Sequence, residues 1–146
     1  KCCNKCKLCK TRQNTVFGTG NKNADIMFIG EGPGADEDRQ AMPFVGKAGK
    51  LMDCAFEAVG ISREKVYIGN IVKCRPPANR DPEEDEIYAC MNYLRNQVML
   101  VKPKIIVLLG SIALKNIPYL NYYQKLNHKI LKLLLKISDD IRLSTY

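Results

Sequence analysis

Two groups of side chains in this 146-residue chain have the types and spacing to do chemistry. The first is a set of seven cysteines: Cys2, Cys3, Cys6, Cys9, Cys54, Cys74 and Cys90. Cys3 and Cys6 form one C-x2-C pair, Cys6 and Cys9 form another in an alternative register, and Cys74 and Cys90 are a distant pair. Four converging thiolates close a site around zinc or an iron–sulfur cluster. Zinc sites usually gather two short chelating loops, so the long interval from Cys74 to Cys90 favours the cluster. The competing reading makes Cys74 and Cys90 small apolar residues. Cys54 falls on the core face of an expected helix and reads as inert. An odd cysteine count argues against a complete disulfide framework.

The second group begins at Gly30. Gly30-Glu31-Gly32-Pro33-Gly34 stops an apolar run, Ile26–Ile29, and a polar segment follows that carries Asp36, Glu37, Asp38 and Phe44 before Gly49. A glycine-cornered loop at the carboxyl end of a strand is where open α/β sheets place ligands. Asn70 interrupts a second apolar run, and a buried amide needs partners, either a neighbouring loop or the edge of a nucleobase. Phe44 reads as a staple onto the core or as a platform on which a flipped base stacks. Lys73, Arg75 and Arg80 flank Pro76-Pro77 and could neutralise phosphates, although solvated loop charge is the default for such residues.

These groups need a scaffold. The sequence predicts an irregular, metal-organised segment over 1–14 and a short extended piece at 16–18. Strands follow at 25–29, 66–72 and 105–109. Helices are expected over 46–59, where Leu51, Met52, Ala55, Phe56 and Val59 share a face, and over 81–101, started by Asp81, Pro82 and Glu84. Strand–helix alternation argues for a parallel, doubly wound sheet with helices on both faces. Beyond Pro118 the texture changes, and Leu126, Ile130, Leu133, Ile137 and Ile141 suggest an amphipathic helix packed on the sheet.

Composition bounds the class. At 46% apolar residues the chain has enough material for one core, and roughly two thirds of the unfolded surface can be buried at this length. No run approaches the ~20 apolar residues of a membrane span, no signal peptide is visible, and the chain reads as cytoplasmic. A formal charge of +8 favours polyanionic partners.

Taken together, these residues resemble the family 4 uracil-DNA glycosylases, the thermostable iron–sulfur type. The matching blocks are residues 3–8, 16–21, 30–38, 43–49, 70–82 and 103–110, so the resemblance covers residue 3 to about 117. It implies a three-layer α/β/α fold with a central, mainly parallel sheet over 1–117, C-terminally incomplete, and a divergent tail over 118–146. It also implies hydrolysis of the N-glycosidic bond of uracil in DNA, with a 4Fe–4S cluster of structural role on Cys3, Cys6, Cys74 and Cys90. Gly30, Gly32, Pro33 and Gly34 then line the uracil pocket, Phe44 stacks on the base and Asn70 pairs with it. Glu31 and Glu37 lie near the attacking water, and uracil-containing DNA is the partner of a monomer.

One departure is large. The family continues to a His-Pro-Ser motif that this sequence lacks, and the lone histidine, His128, matches nothing in the family and reads as a surface residue. The change of texture near Pro118 reads as a truncation or frame-shifted end. Alternatives to an active glycosylase are therefore an impaired remnant or DNA-binding iron–sulfur module of the same family. A nucleotide-binding α/β protein is disfavoured, because the Gly30 loop lacks the Lys-Ser/Thr ending of a P-loop and the spacing of a dinucleotide fingerprint.

Overall fold

The computed structural model describes residues 3–116, so Cys2 and the tail expected over 118–146 lie outside the described residues. The expected α/β fold is present. β1 (Thr19–Gly20), β2 (Ile26–Gly30), β3 (Tyr67–Asn70) and β4 (Ile105–Leu108) form one sheet in the order β1-β3-β2-β4. β2 runs parallel to β3 and to β4, and the two-residue β1 pairs antiparallel with β3 at the edge. The helices are α1 (Ala35–Gln40), α2 (Lys47–Ala58), α3 (Glu84–Val101) and α4 (Ser111–Lys115).

Strand alternation sorts the core into two layers of packing. Phe28, Ile68 and Val107 point to one face and meet Met52 and Phe56 of α2. Met27, Ile29, Tyr67, Ile106 and Leu108 point to the other and meet Ile87, Met91 and Leu94 of α3 and Ala113 of α4. Successive side chains of a strand point to opposite faces, so continuous apolar strands require helices on both sides. The connection from β2 through α2 leads to β3 on one side of β2. The connection from β3 through α3 returns to β4 on the other. The strand order therefore diverges around the carboxyl end of β2, where doubly wound sheets open a crevice.

Two local expectations shift. α1 was not foreseen within the Gly30–Gly49 segment. It forms because Asp38 N donates to Gly34 O (3.0 Å) and the Glu37 side chain returns to accept from Gly34 N (3.1 Å). α3 starts two to three residues later than Asp81. The reason is Glu86, which is fully buried and accepts from Glu83 N at 2.8 Å, while Arg80 holds its two oxygens at 2.9 and 2.8 Å.

The Arg80 hydrogen bonds and the Glu83 amide hold the Glu86 carboxyl below its usual range in spite of burial. Because the folded pKa is depressed, this stabilisation is complete above the unfolded value and disappears as pH falls through the folded one. Arg80→Met should therefore destabilise the protein by roughly 2–3 kcal/mol at pH 7. Urea denaturation at pH 7 and at pH 3 checks this, and the difference between variant and parent should shrink at the lower pH.

Candidate active site

The sheet register places Gly30, last residue of β2, directly beside Asn70, last residue of β3. The pairing continues outward, with Ile71 N donating to Gly30 O (2.8 Å) and Val72 N to Glu31 O (3.0 Å). Asn70 is 1% exposed, and its Oδ1 accepts no hydrogen bond among the described residues. An unsatisfied buried amide oxygen costs about 1–3 kcal/mol and calls for a ligand donor.

Gly30 explains how that oxygen stays open. A Cβ on Gly30 would lie 2.7 Å from Asn70 Oδ1 and 2.5 Å from Phe44 Cζ. The absent side chain thus lets an aromatic ring edge and an amide oxygen meet at the Gly30 backbone, in a slot too narrow for any side chain. Gly32 is equally constrained, since a Cβ there would lie 2.8 Å from Val72 Cγ2. Glu31 stands half-buried at the start of the same loop, and its carboxylate has no hydrogen-bond or ion-pair partner among the described residues. Burial, aided by the charge of Asp81, raises its pKa.

Phe44 takes a left-handed backbone conformation (φ 55°), which costs a non-glycine residue about 1–2 kcal/mol. Side chains on both sides hold it there. Glu37 accepts from Val45 N (2.9 Å) and Gly46 N (2.7 Å) as well as from Gly34 N, so its carboxylate ties the Gly30–Gly34 loop to the Phe44 loop. Three backbone donors on one carboxylate leave it less open to a water than the unpartnered Glu31. On the other side, Arg63 donates to the Phe44 and Gly49 carbonyls. Sequence reasoning missed Arg63, which lies in a short turn after α2 and belongs to no motif.

Lys73 links Asn70 to the cysteines, with its amide on Cys90 Sγ and its Nζ on Asn70 O. Cys74 and Cys90 are buried, while Cys3, Cys6 and Cys9 are half-buried. The thiols lie close enough to influence one another: Cys6 feels Cys3 and Cys9, Cys74 feels Cys6 and Cys3, and Cys90 feels Cys74 and Cys6. Three of the sulfurs accept a hydrogen bond, Cys90 from Lys73 N (3.3 Å), Cys74 from Arg12 Nη1 (3.1 Å) and Cys3 from Tyr93 Oη (3.6 Å). Burial pushes the Cys90 thiol up to about 11 and raises Cys6 and Cys74. At Cys3, burial is outweighed by the Lys5 amide, the Tyr93 hydroxyl and the Arg12 and Lys5 charges, which bring the thiol down. Among the described residues no three acidic, cysteine or histidine groups sit close enough together to hold a metal ion as they stand. Hydrogen bonds to sulfur tune thiolate-held centres, and Cys3, Cys74 and Cys90 each accept one here. Cys54 is exposed on α2, away from the core face expected for it.

The three basic residues expected to face phosphate divide. Lys73 is a correction: it is 2% exposed, turned inward, and its Nζ donates to Asn70 O at 2.6 Å. Burial pushes its ammonium down to about 8, opposed by the Cys90 sulfur. Arg80 is engaged with Glu86, and half-buried Arg75 donates to Asn79 Oδ1 at 2.8 Å.

The sequence model of the uracil DNA glycosylase superfamily matches residues 17–139. The chain belongs to that superfamily. It is 59% identical to a type-4 uracil-DNA glycosylase of Saccharolobus solfataricus over 109 residues, 74% of this chain and 50% of the relative. It is 50% identical to the type-4 enzyme of Archaeoglobus fulgidus over 111 residues, 76% of this chain and 56% of the relative. A DNA polymerase of Bacillus phage SP01 is 36% identical over 114 residues, 77% of this chain but 12% of that protein. The chain spans about half the length of the type-4 relatives it matches. Within the superfamily domain, no helix among the described residues is long and apolar enough to cross a membrane.

Gly30→Ala tests the slot without reference to a reaction. Its methyl would overlap Phe44 and Asn70, so thermal denaturation should show a loss of about 1–3 kcal/mol, as for an overpacked core. Gly60→Ala is the control, because a Cβ there meets nothing within 4 Å and φ (68°) alone is strained; it should lose less.

Proposed function

We propose that the chain is the uracil-binding part of a glycosylase that hydrolyses the N-glycosidic bond of uracil in DNA, in base excision repair. The observation that carries this reading is the buried Asn70 Oδ1 that accepts no hydrogen bond among the described residues, set at the end of β3 beside Gly30 and the Phe44 ring. A uracil flipped out of DNA and stacked on Phe44 would give its N3–H to Asn70 Oδ1 and take a hydrogen bond from Nδ2 at O4. Cytosine has no hydrogen on N3 and carries an amino donor at C4, so the same amide meets a reversed pattern. Pocket walls come from Gly30, Gly32, Pro33 and Gly34.

The chemistry follows from where charge develops. Cleavage of the C1′–N1 bond leaves an oxocarbenium-like sugar and a uracil anion. Ionised Glu31 stabilises the first and orients the water that attacks C1′. Asn70 stabilises the second through the hydrogen bond that Nδ2 donates to O4, which strengthens as O4 gains electron density. Glu37 acts by holding the Phe44 loop against the pocket. Arg75 and Arg80, half-buried beside Pro76-Pro77, serve the DNA backbone, whereas Lys73 braces Asn70 from within.

A 4Fe–4S cluster fits the donor set of Cys3, Cys6, Cys74 and Cys90, which would hold it with Arg12, Lys73 and Tyr93 hydrogen-bonded to the sulfurs. When bound, it supplies a covalent tie between the N-terminal segment, the loop after β3 and α3. The domain is read as residues 1–117, acting as a cytoplasmic monomer.

Uracil release from a single-stranded oligonucleotide, followed by alkaline cleavage, tests the reaction. Parent protein should cut, and Asn70→Ala should lower kcat/KM by about 100-fold or more. Parent protein that leaves the strand intact at high excess rejects catalysis and leaves the binding-module reading. The cluster is tested separately: anaerobically purified protein should absorb broadly near ~400 nm and contain iron, and Cys90→Ser should lower both iron content and Tm. A colourless, zinc-loaded parent would exclude it.

A further inference from the structure

We propose that Arg63 is a positioning residue for the base-stacking ring, fixing Phe44 by gripping its carbonyl from the side opposite Glu37. This rests on the reading of Phe44 as the platform for uracil.

The geometry is specific. Arg63 Nη2 donates to Phe44 O and to Gly49 O (3.4 Å), Nη1 reaches Pro43 O (3.4 Å), and Nε pairs with Asp53 on α2. Glu37 Oε1 meanwhile accepts from Val45 N. Phe44 C=O and Val45 N–H belong to one peptide group, so a guanidinium holds one end of that plane and a carboxylate holds the other. With both ends held, the backbone rotation that would swing the ring is blocked, and the left-handed φ of 55° at Phe44 persists.

The surroundings are built for this contact. A Cβ on Gly49 would lie 2.0 Å from Phe44 O, so α2 can approach the carbonyl only at a glycine. Pro43 presents a carbonyl and no competing N–H. The guanidinium fork can serve several carbonyls and Asp53 at once, which a lysine ammonium on a flexible stem cannot reproduce. The Arg63 side chain is 28% exposed, so its bonds are partly sheltered from water. The ring it positions stands against Gly30 and Asn70, and a small rotation of the 44–45 peptide would move the ring edge off the slot.

The test is a double-mutant cycle in the intact protein, read by single-turnover release of uracil and by amide hydrogen exchange over residues 43–49. Arg63→Ala should slow release by about 100-fold, the scale for misplacing a reacting group by an ångström, and should speed exchange at Val45 and Gly46. Arg63→Lys should not restore either. In a Phe44→Ala background, Arg63→Ala should cost less than about 3-fold more, since two residues acting as one unit are not additive. Losses that multiply would show Arg63 acting by general destabilisation and would overturn the inference, as would unchanged exchange over 43–49. If Arg63→Ala does not fold, Arg63→Gln carries the same cycle. A parent protein that releases no uracil overturns the proposed reaction instead, and the exchange measurement then decides the clasp alone.

Discussion

Everything at this site depends on one register: the parallel pairing that sets Gly30 beside Asn70 at the carboxyl ends of β2 and β3. A shift by one residue would exchange the faces of the strands and put an apolar side chain where the slot is. The register is strongly fixed because both faces are buried: Phe28 and Ile68 toward α2, Ile29 and Tyr67 toward α3. Large apolar side chains thus secure the position of a residue that has none. The slot is as narrow as a residue without a side chain allows.

Around that gap, carboxylates serve as connectors. Glu37 joins the Gly30–Gly34 loop to the Phe44 loop through three backbone donors. Asp38, next in sequence and 2% exposed, faces the other way and accepts from Gln13 N and Asn14 N, all at 3.0 Å. Adjacent residues of α1 therefore bind the pocket on one side and the cysteine-bearing segment on the other. Lys73 makes a second bridge, with its amide on Cys90 Sγ and its ammonium on Asn70 O. The buried ammonium is tolerated because it has that carbonyl and a sulfur for company.

Much of this was legible in the sequence. The strands at β2, β3 and β4 follow from apolar runs and α3 from its 3.6-residue stripe; α2 lies where expected, but only Met52 and Phe56 of its stripe are buried while Leu51, Ala55 and Val59 are exposed. The Gly30 loop and Asn70 stand out as polarity where apolar residues are expected. What was not legible is of another kind. Glu37 and Asp38 have the composition of a solvated helix end, and only coordinates show their oxygens turned onto distant backbone amides. Lys73 sits among arginines and prolines like a surface cation, but the chain turns inward after Asn70 and buries it. Arg63 has no sequence signal, because its partners are carbonyls, which every residue has. Local pattern reports which residues are buried; it does not report which polar group crosses a gap of twenty or eighty residues.

The contacts around the thiols carry a consequence for the order of assembly. Arg12 meets Cys74 across 62 residues and Cys3 meets Tyr93 across 90. Such distant pairings close only after nearer structure has formed, because the loop entropy must be met first. On a ribosome adding 5–20 residues per second, the N-terminal cysteines wait about 5–20 s for the partner on α3 to be synthesised. During that interval Cys3 and Cys6 are unsheltered thiols, open to oxidation. The native arrangement is thus reached by a race between translation and thiol chemistry.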